Sequence, residues 1–350
     1  MEIKYAFWNN KGGTGKTSLI FQTILGYAET HQDKRILAVD VCPQANLSEL
    51  MLGGLNNKGS DRLLQLQNSA PRCSIGGYFQ LRLPSPYSVP TFNPEEFITI
   101  PNNYNKGVAK NIDLLSGDPL LELQSNAINS LANTNIPGTD TWICVIDWLN
   151  DFLEKVKDKY DVVFIDCNPS FSMFTQIALA ATDRIILPVM ADDSSRRAIQ
   201  NAFSLIYGLK LPSAIYATYA FGTKLVNAKK YNSNDPNEKR KLPKVHLIAK
   251  NRITQYMGSA SAYRAVLNMI ESETRKLFKQ YPDFFSFADP INGFIEIRDF
   301  QTTGVIAFAK GLPFSKVQVG LQSIGKHRIQ VNGERLSDCK KAMEELVSKL

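Results

Sequence analysis

The hydrophobic pattern of the chain begins with a short apolar run, Ile3–Trp8, then a glycine-rich turn, then an apolar-periodic stretch from Ser18 to Tyr27. That succession predicts strand, loop and helix. Arg35–Asp40 (RILAVD) is apolar without alternation and ends in a carboxylate, as strands buried on both faces do. Asp161–Asp166 (DVVFID) repeats the pattern after a helical stretch from Trp148 to Lys157. Arg184–Val189 and Lys244–Ala249 are further strand candidates, and Ser195–Tyr207 and Ala260–Lys279 read as helices. Strands alternating with helices predict an α/β fold, a mostly parallel sheet with helices on both faces.

Two stretches break the alternation. Gly53–Lys110 is rich in Gly, Pro, Ser and Asn, with SPYSVPTFNP at its centre, and Leu209–Pro243 is polar and basic. Both read as insertions (53–110 and 209–243) within one domain covering residues 1–350. No internal repeat and no low-complexity tail accompanies them.

The first turn carries chemistry. Asn10-Lys11-Gly12-Gly13-Thr14-Gly15-Lys16-Thr17 fits the phosphate-loop spacing GxxxxGK[ST], with Asn10 in place of the first glycine. Glycines let backbone N–H groups close around phosphate oxygens, and the following helix points its positive end at them. Lys16 is placed to reach the β- and γ-phosphates of ATP, the Thr17 hydroxyl to bind Mg²⁺, and Ser18 to reach the α-phosphate.

With its additional lysine, Lys11, the loop resembles the ParA/MinD family of deviant Walker ATPases, whose signature is KGGxGK[ST]. Asp40–Ser48 (DVCPQANLS) resembles that family's DxDPQxNLT motif, and Tyr160–Ser170 (YDVVFIDCNPS) its YDxxxIDxPPS block. Asn111–Gln124, Ala178–Val189 and Gly311-Leu312-Pro313 resemble further family elements, so about half the chain aligns and the two insertions do not. The resemblance implies a P-loop fold, ATP and Mg²⁺ as cofactors, and a homodimer formed on ATP binding. It gives Lys11 a contact across that dimer with the partner's ATP. Asp166 is assigned to Mg²⁺, Asp40 to the Mg²⁺ and switch region and to catalysis with Lys11 and Lys16, and Asn251 and Arg252 to the adenine.

One departure bears on turnover. Cys42 stands where the family carries its second carboxylate, the group that orients the attacking water. A thiol ionised beside the γ-phosphate would set like charges together, so hydrolysis should be slow, or Asp192 or Asp193 should orient the water instead.

The apolar fraction of 44% and charged fraction of 21% are those of a globular protein with a large core. No run approaches the ~20 apolar residues of a membrane span, and Met1–Trp8 is too short and mixed for a signal peptide. Five cysteines without a CxxC pair predict neither a disulfide framework nor a zinc site. A cytoplasmic protein is expected, nucleoid-associated if it binds DNA. Between Lys224 and Arg252 stand nine cations (Lys224, Lys229, Lys230, Lys239, Arg240, Lys241, Lys244, Lys250, Arg252) against Asp235 and Glu238, an excess equal to the whole chain's +7. That segment predicts an exposed loop attractive to polyanions.

These features point to a ParA-type ATPase of DNA partition or intracellular positioning. Its ATP dimer would bind DNA non-specifically, and a partner protein would stimulate hydrolysis. The chain begins at the phosphate loop, resembling short family members without an N-terminal DNA-binding domain. A MinD-like membrane-associated ATPase is the alternative. However, the candidate C-terminal helix Leu336–Leu350 mixes acidic residues with its lysines and has no aromatic anchor, so no stable membrane association is expected. An iron-protein-like reductase would need cluster cysteines in a context that Cys144 and Cys167 lack.

Overall fold

The structure, a computed structural model, describes residues 1–211, 221–235, 237–253 and 261–350. Strands β1 (Ile3–Phe7), β2 (Ile36–Val41), β3 (Ile98–Thr99), β4 (Ile112–Leu115), β5 (Val162–Cys167), β6 (Arg184–Val189), β7 (Lys244–Ile253) and β8 (Phe294–Arg298) form one sheet in the order β3-β4-β2-β5-β1-β6-β7-β8. Every pairing is parallel except β3 with β4. A small antiparallel hairpin, β9 (Gly320–Ile324) and β10 (His327–Val331), stands apart.

The unbroken apolar runs have a direct cause. In β1, Tyr5 and Phe7 enter the core layer on one face of the sheet, while Ala6 and the following Trp8 enter the layer on the other. In β5, Val162 and Phe164 face one layer, and Val163, Ile165 and Cys167 the other. A strand with helices on both sides has no polar face to show. One layer is built by α1 (Lys16–Thr30), α2 (Asn46–Met51), α3 (Gly59–Gln67), α12 (Gln301–Lys310) and α13 (Gly333–Ser348). The other is built by α4 (Ile75–Arg82), α5 (Leu120–Ala132), α6 (Thr141–Ile146), α7 (Trp148–Lys155), α8 (Met173–Ala180), α9 (Asp193–Tyr207), α10 (Phe221–Asn227) and α11 (Ser261–Gln280). Observed ends shift by a few residues from the sequence pattern; Ala260, expected to start a helix, lies outside the described residues.

The first insertion is not a loop. Residues 53–110 contain α3, α4 and the edge strand β3, and Tyr78 and Phe79 of α4 are fully buried. Arg82 of the same helix is also buried, donating to Asp151 on α7 and lying over the Trp148 ring. In the 209–243 segment, residues 212–220 and 236 lie outside the described set. The remainder docks on the same helix: Arg240 Nη1 donates to Asp147 at 2.7 Å, and the Tyr231 hydroxyl to Asp151 at 2.7 Å. Removing one partner of a buried pair leaves an uncompensated charge, so α7 ties both insertions firmly to the domain.

At the C-terminus, Leu336, Cys339, Met343, Leu346 and Val347 of α13 are buried against the core, so its apolar face is not available to a bilayer. Among the described residues no helix is long and apolar enough to cross a membrane.

Candidate functional site

The loops after β1, β2 and β5 and the last residues of β7 meet at the carboxyl ends of the strands, where open α/β sheets build their ligand crevices. The loop after β1 is held from inside. Buried Asn9 donates from Nδ2 to the Pro188 carbonyl at 2.8 Å and accepts the Lys11 N–H at 3.0 Å. Gly13 and Gly15 adopt φ of +73° and +78°, a conformation that costs L-residues strain. At Gly15 a Cβ would also stand 2.4 Å from Asn251 Nδ2. Among the described residues nothing stands within 4 Å of where a Cβ would project from Gly12 or Gly13, so these residues leave the mouth of the loop open. Helix α1 begins at Lys16, which directs its amino end at that mouth, and Ser18 lies in its first turn.

Lys16 is 7% exposed, and its ammonium donates to the Asn9 and Lys11 carbonyls at 3.3 and 3.1 Å. Burial lowers its pKa, opposed by the charge of Asp166. The Thr17 hydroxyl donates to Asp166 Oδ2 at 2.8 Å. Asp166 and Asp40 are register partners on β5 and β2, so two buried carboxylates stand side by side. Asp40 accepts from the Ser48 N–H and hydroxyl (3.0 and 2.8 Å) and the Cys42 N–H (3.1 Å). Burial raises both carboxyl pKa values, and for Asp166 the neighbouring Asp40 adds to the rise.

Three buried oxygens around the loop have no hydrogen-bond partner among the described residues: Asn10 Oδ1, Thr14 Oγ1 and Asp166 Oδ1. Orphaned polar atoms beside an open glycine loop call for a polar occupant. A phosphate chain can accept from the Thr14 hydroxyl, and a hard divalent cation answers Asp166 Oδ1. The cation would take the Thr17 hydroxyl and Asp166, directly or through water, as Mg²⁺ does in such sites.

Lys11 points elsewhere. Its ammonium donates to Asp192 Oδ2 at 2.5 Å and approaches Ser195 Oγ at 3.5 Å. Asp192 meanwhile caps α9, its Oδ1 accepting from the Ser195 N–H at 2.8 Å. Burial opposes ionisation of Asp192, but the Lys11, Ser194 and Ser195 bonds win and hold its pKa down to about 2. Asp193 is drawn into ion pairs with Arg196 and Arg197. Both carboxylates considered as stand-ins for the missing one are therefore engaged. Cys42 is half-buried, and burial together with Asp40 and Asp166 pushes its thiol up to about 12. At neutral pH it is a thiol, not a base.

Asn251 and Arg252 lie near the end of β7, at the register shift between Lys250 and Ile253. Asn251 is buried and donates to the Thr14 carbonyl at 2.8 Å, which packs it against the loop's backbone. Arg252 is exposed, with φ +57°, and its Nε would stand 3.9 Å from a Cβ at Gly15. The structure thus gathers Lys11–Ser18, Asp40, Asp166, Asn251 and Arg252 around one crevice. Sequence reasoning passed over Asn9, which fixes the loop's base, and Ser48, which holds Asp40. Ser48 was visible as the last position of the second motif; Asn9 carried no signal beyond its place before the loop.

A family model described as an AAA domain (AAA_31) matches residues 3–211, more than half of the chain. The virulence-plasmid ParA family protein pGP5-D of Chlamydia psittaci is 26% identical over 187 residues, covering 52% of this chain and 54% of that protein. The sporulation initiation inhibitor protein Soj of Bacillus subtilis is 27% identical over 187 residues, covering 53% and 58%. The chain spans about half the length of the curated relatives it matches. Among solved structures, apo McdA of Cyanothece superposes over 100% of this chain and 99% of its own with a TM-score of 0.59 at 12% identity, a likeness of fold.

Proposed function

The chain belongs to the ParA/MinD family of P-loop ATPases, and on that premise we propose that it is an ATP-switched homodimer acting in DNA partition or intracellular positioning. The observation that carries the reading is the loop itself. A glycine-lined loop holds a desolvated Lys16 and a Thr17–Asp166 pair, with buried oxygens beside it that have no partner among the described residues.

Each residue then has a task. The N–H groups of Gly12–Gly15 wrap the phosphates, Lys16 exchanges its two carbonyl partners for β- and γ-phosphate oxygens, and Ser18 steadies the α-phosphate. Thr17 and Asp166 hold Mg²⁺, with Asp40 behind them ordering the turn through Ser48 and Cys42. Mg²⁺, when bound, neutralises the charge that develops on the transferred phosphoryl group. Asn251 and Arg252 border the base. Lys11 leaves Asp192 and reaches across a two-fold axis to the partner's nucleotide, acting as an arginine finger does.

With Cys42 protonated, Asp193 paired with Arg196 and Arg197, and Asp192 held by Lys11 until Lys11 crosses to the partner, no carboxylate among the described residues is free to orient the water before the dimer forms. Hydrolysis is therefore slow and waits on a partner protein, and the ATP dimer is long-lived. The dimer binds DNA non-specifically, which would place it in the cytoplasm on the nucleoid. The whole chain acts as one domain, its insertions packed into the common core. The membrane-anchored alternative would need the apolar face of α13, which packs on the core instead.

Light scattering after gel filtration, with ADP, ATP or no nucleotide, tests the switch. A dimer seen with ATP alone, lost in Lys11→Ala, is the expected result. A monomer in all three conditions overturns it.

A further inference from the structure

The excess charge of segment 224–252 is not spread evenly. Lys250 is buried between Glu271 and Glu296, Arg240 is paired with Asp147, and Lys230 with Glu238. Arg252 lies at the phosphate loop. What remains exposed, with no carboxylate within ion-pair distance among the described residues, is Lys224, Lys229, Lys239, Lys241 and Lys244.

Three of these form a built face. Lys229 and Lys239 are partners in an antiparallel bridge, which sets two like charges directly opposite one another. Arg240 turns inward to Asp147 with its side chain 8% exposed, whereas its neighbours Lys239 and Lys241 are exposed. Behind the face, Arg240 Nε donates to the Lys229 carbonyl at 2.9 Å and Tyr231 is tied to Asp151. The lysines therefore project from a braced scaffold, and a ligand that meets them need not order a loose loop.

The face also lies far from the nucleotide. It leads through Pro243 into Lys244 at the start of β7, whereas the same strand touches the phosphate loop at Asn251, about 23 Å further along at ~3.3 Å per residue.

We propose that Lys229, Lys239 and Lys241 form a contact surface for the phosphate backbone of duplex DNA that works without bound nucleotide. It rests on the DNA half of the proposed function and not on the ATP half. Cross-strand lysine repulsion is relieved by a bridging phosphate, and the exposed asparagines Asn232, Asn234 and Asn237 beside the lysines are donors that suit phosphate oxygens. An anionic membrane fits less well. Such binding wants exposed apolar anchors, but Tyr231 is held by Asp151 and Leu242 is half-buried.

The test is fluorescence anisotropy of a labelled duplex of arbitrary sequence, without nucleotide, across a salt series. The triple variant Lys229→Gln, Lys239→Gln, Lys241→Gln should bind about ten-fold or more weaker and flatten the log–log salt slope by about 2–3 units. Since Lys239 also bonds the Asn227 carbonyl at 3.1 Å, the double variant Lys229→Gln, Lys241→Gln guards against misfolding and should give about two-thirds of the slope change. Nucleotide-free DNA binding unchanged in both variants, or absent from the native chain, overturns the proposal. So does lysine-dependent binding to phosphatidylglycerol vesicles with none to DNA. A chain that binds DNA through these lysines yet never dimerises with ATP would keep this inference and sink the switch; ATP-dependent dimerisation without lysine-dependent binding would do the reverse.

Discussion

The two ends of β7 treat positive charge in opposite ways. At its carboxyl end, Lys16 is desolvated and held by backbone carbonyls, and Lys11 is clasped by Asp192. At its amino end, Lys229, Lys239 and Lys241 stand in solvent over a buried layer where Arg82, Arg240, Asp147 and Asp151 neutralise one another. A desolvated cation beside a backbone nest selects one ligand geometry, whereas a row of hydrated ammonium groups selects charge density alone. The difference is one between a specific site and a general one, made from the same residue type.

The largest effect that would break this contrast is at the scaffold. Arg82→Ala leaves Asp151 buried without its main partner and should cost about 3–5 kcal/mol in denaturant unfolding. Arg82→Ala as stable as the native chain would mean that the paired layer is not what braces the amino end.

A second probe is pH. His246, near the amino end of β7, is pushed down to about 4 by burial first, with the Arg184 and Lys349 charges adding, while its bond to the Lys349 carbonyl resists. The unfolded chain takes up this proton near pH 6.5 and the folded chain only near 4. Stability should therefore fall as pH drops through that window, by up to about 3 kcal/mol. His246→Asn should remove that part of the slope, as followed by thermal melts; an unchanged slope assigns it to other groups.

At the carboxyl end, Lys16→Ala should lower ATP affinity by about 100-fold, roughly 2.7 kcal/mol, read by calorimetry. Binding to DNA without nucleotide should not change, and a parallel loss of both would merge the two ends into one site. The smallest expected effect is a gain. Cys42→Asp restores a carboxylate to the second motif and should raise turnover about ten-fold, worth ~1.4 kcal/mol on the barrier. Turnover unchanged or reduced would show that Cys42 does not limit it.

How much of this was legible differs by region. The strands of the central sheet could be read because a strand covered on both faces must be apolar at every position, as Ala6 and Trp8 against Tyr5 and Phe7 illustrate. The phosphate loop could be read because its glycines and GKT are required by local backbone geometry, and Gly13 and Gly15 do adopt positive φ. The insertions could not. Gly- and Pro-rich composition marked 53–110 only as an insertion, yet Tyr78, Phe79 and Arg82 complete the core and its buried charge layer. Those contacts join residues about seventy positions apart, and no local pattern encodes them.

The sequence by itself determined the five central strands, the phosphate loop and the amount of excess charge, because each depends on residues close together or on a repeating period. Only the tertiary structure decided where that charge is usable. It buried Lys250 and Arg240 against carboxylates from distant elements, turned Lys11 onto Asp192, and left Lys229, Lys239 and Lys241 in solvent. A charge counts toward binding only where no opposite charge has already met it, and that depends on which parts of the chain folding brings together.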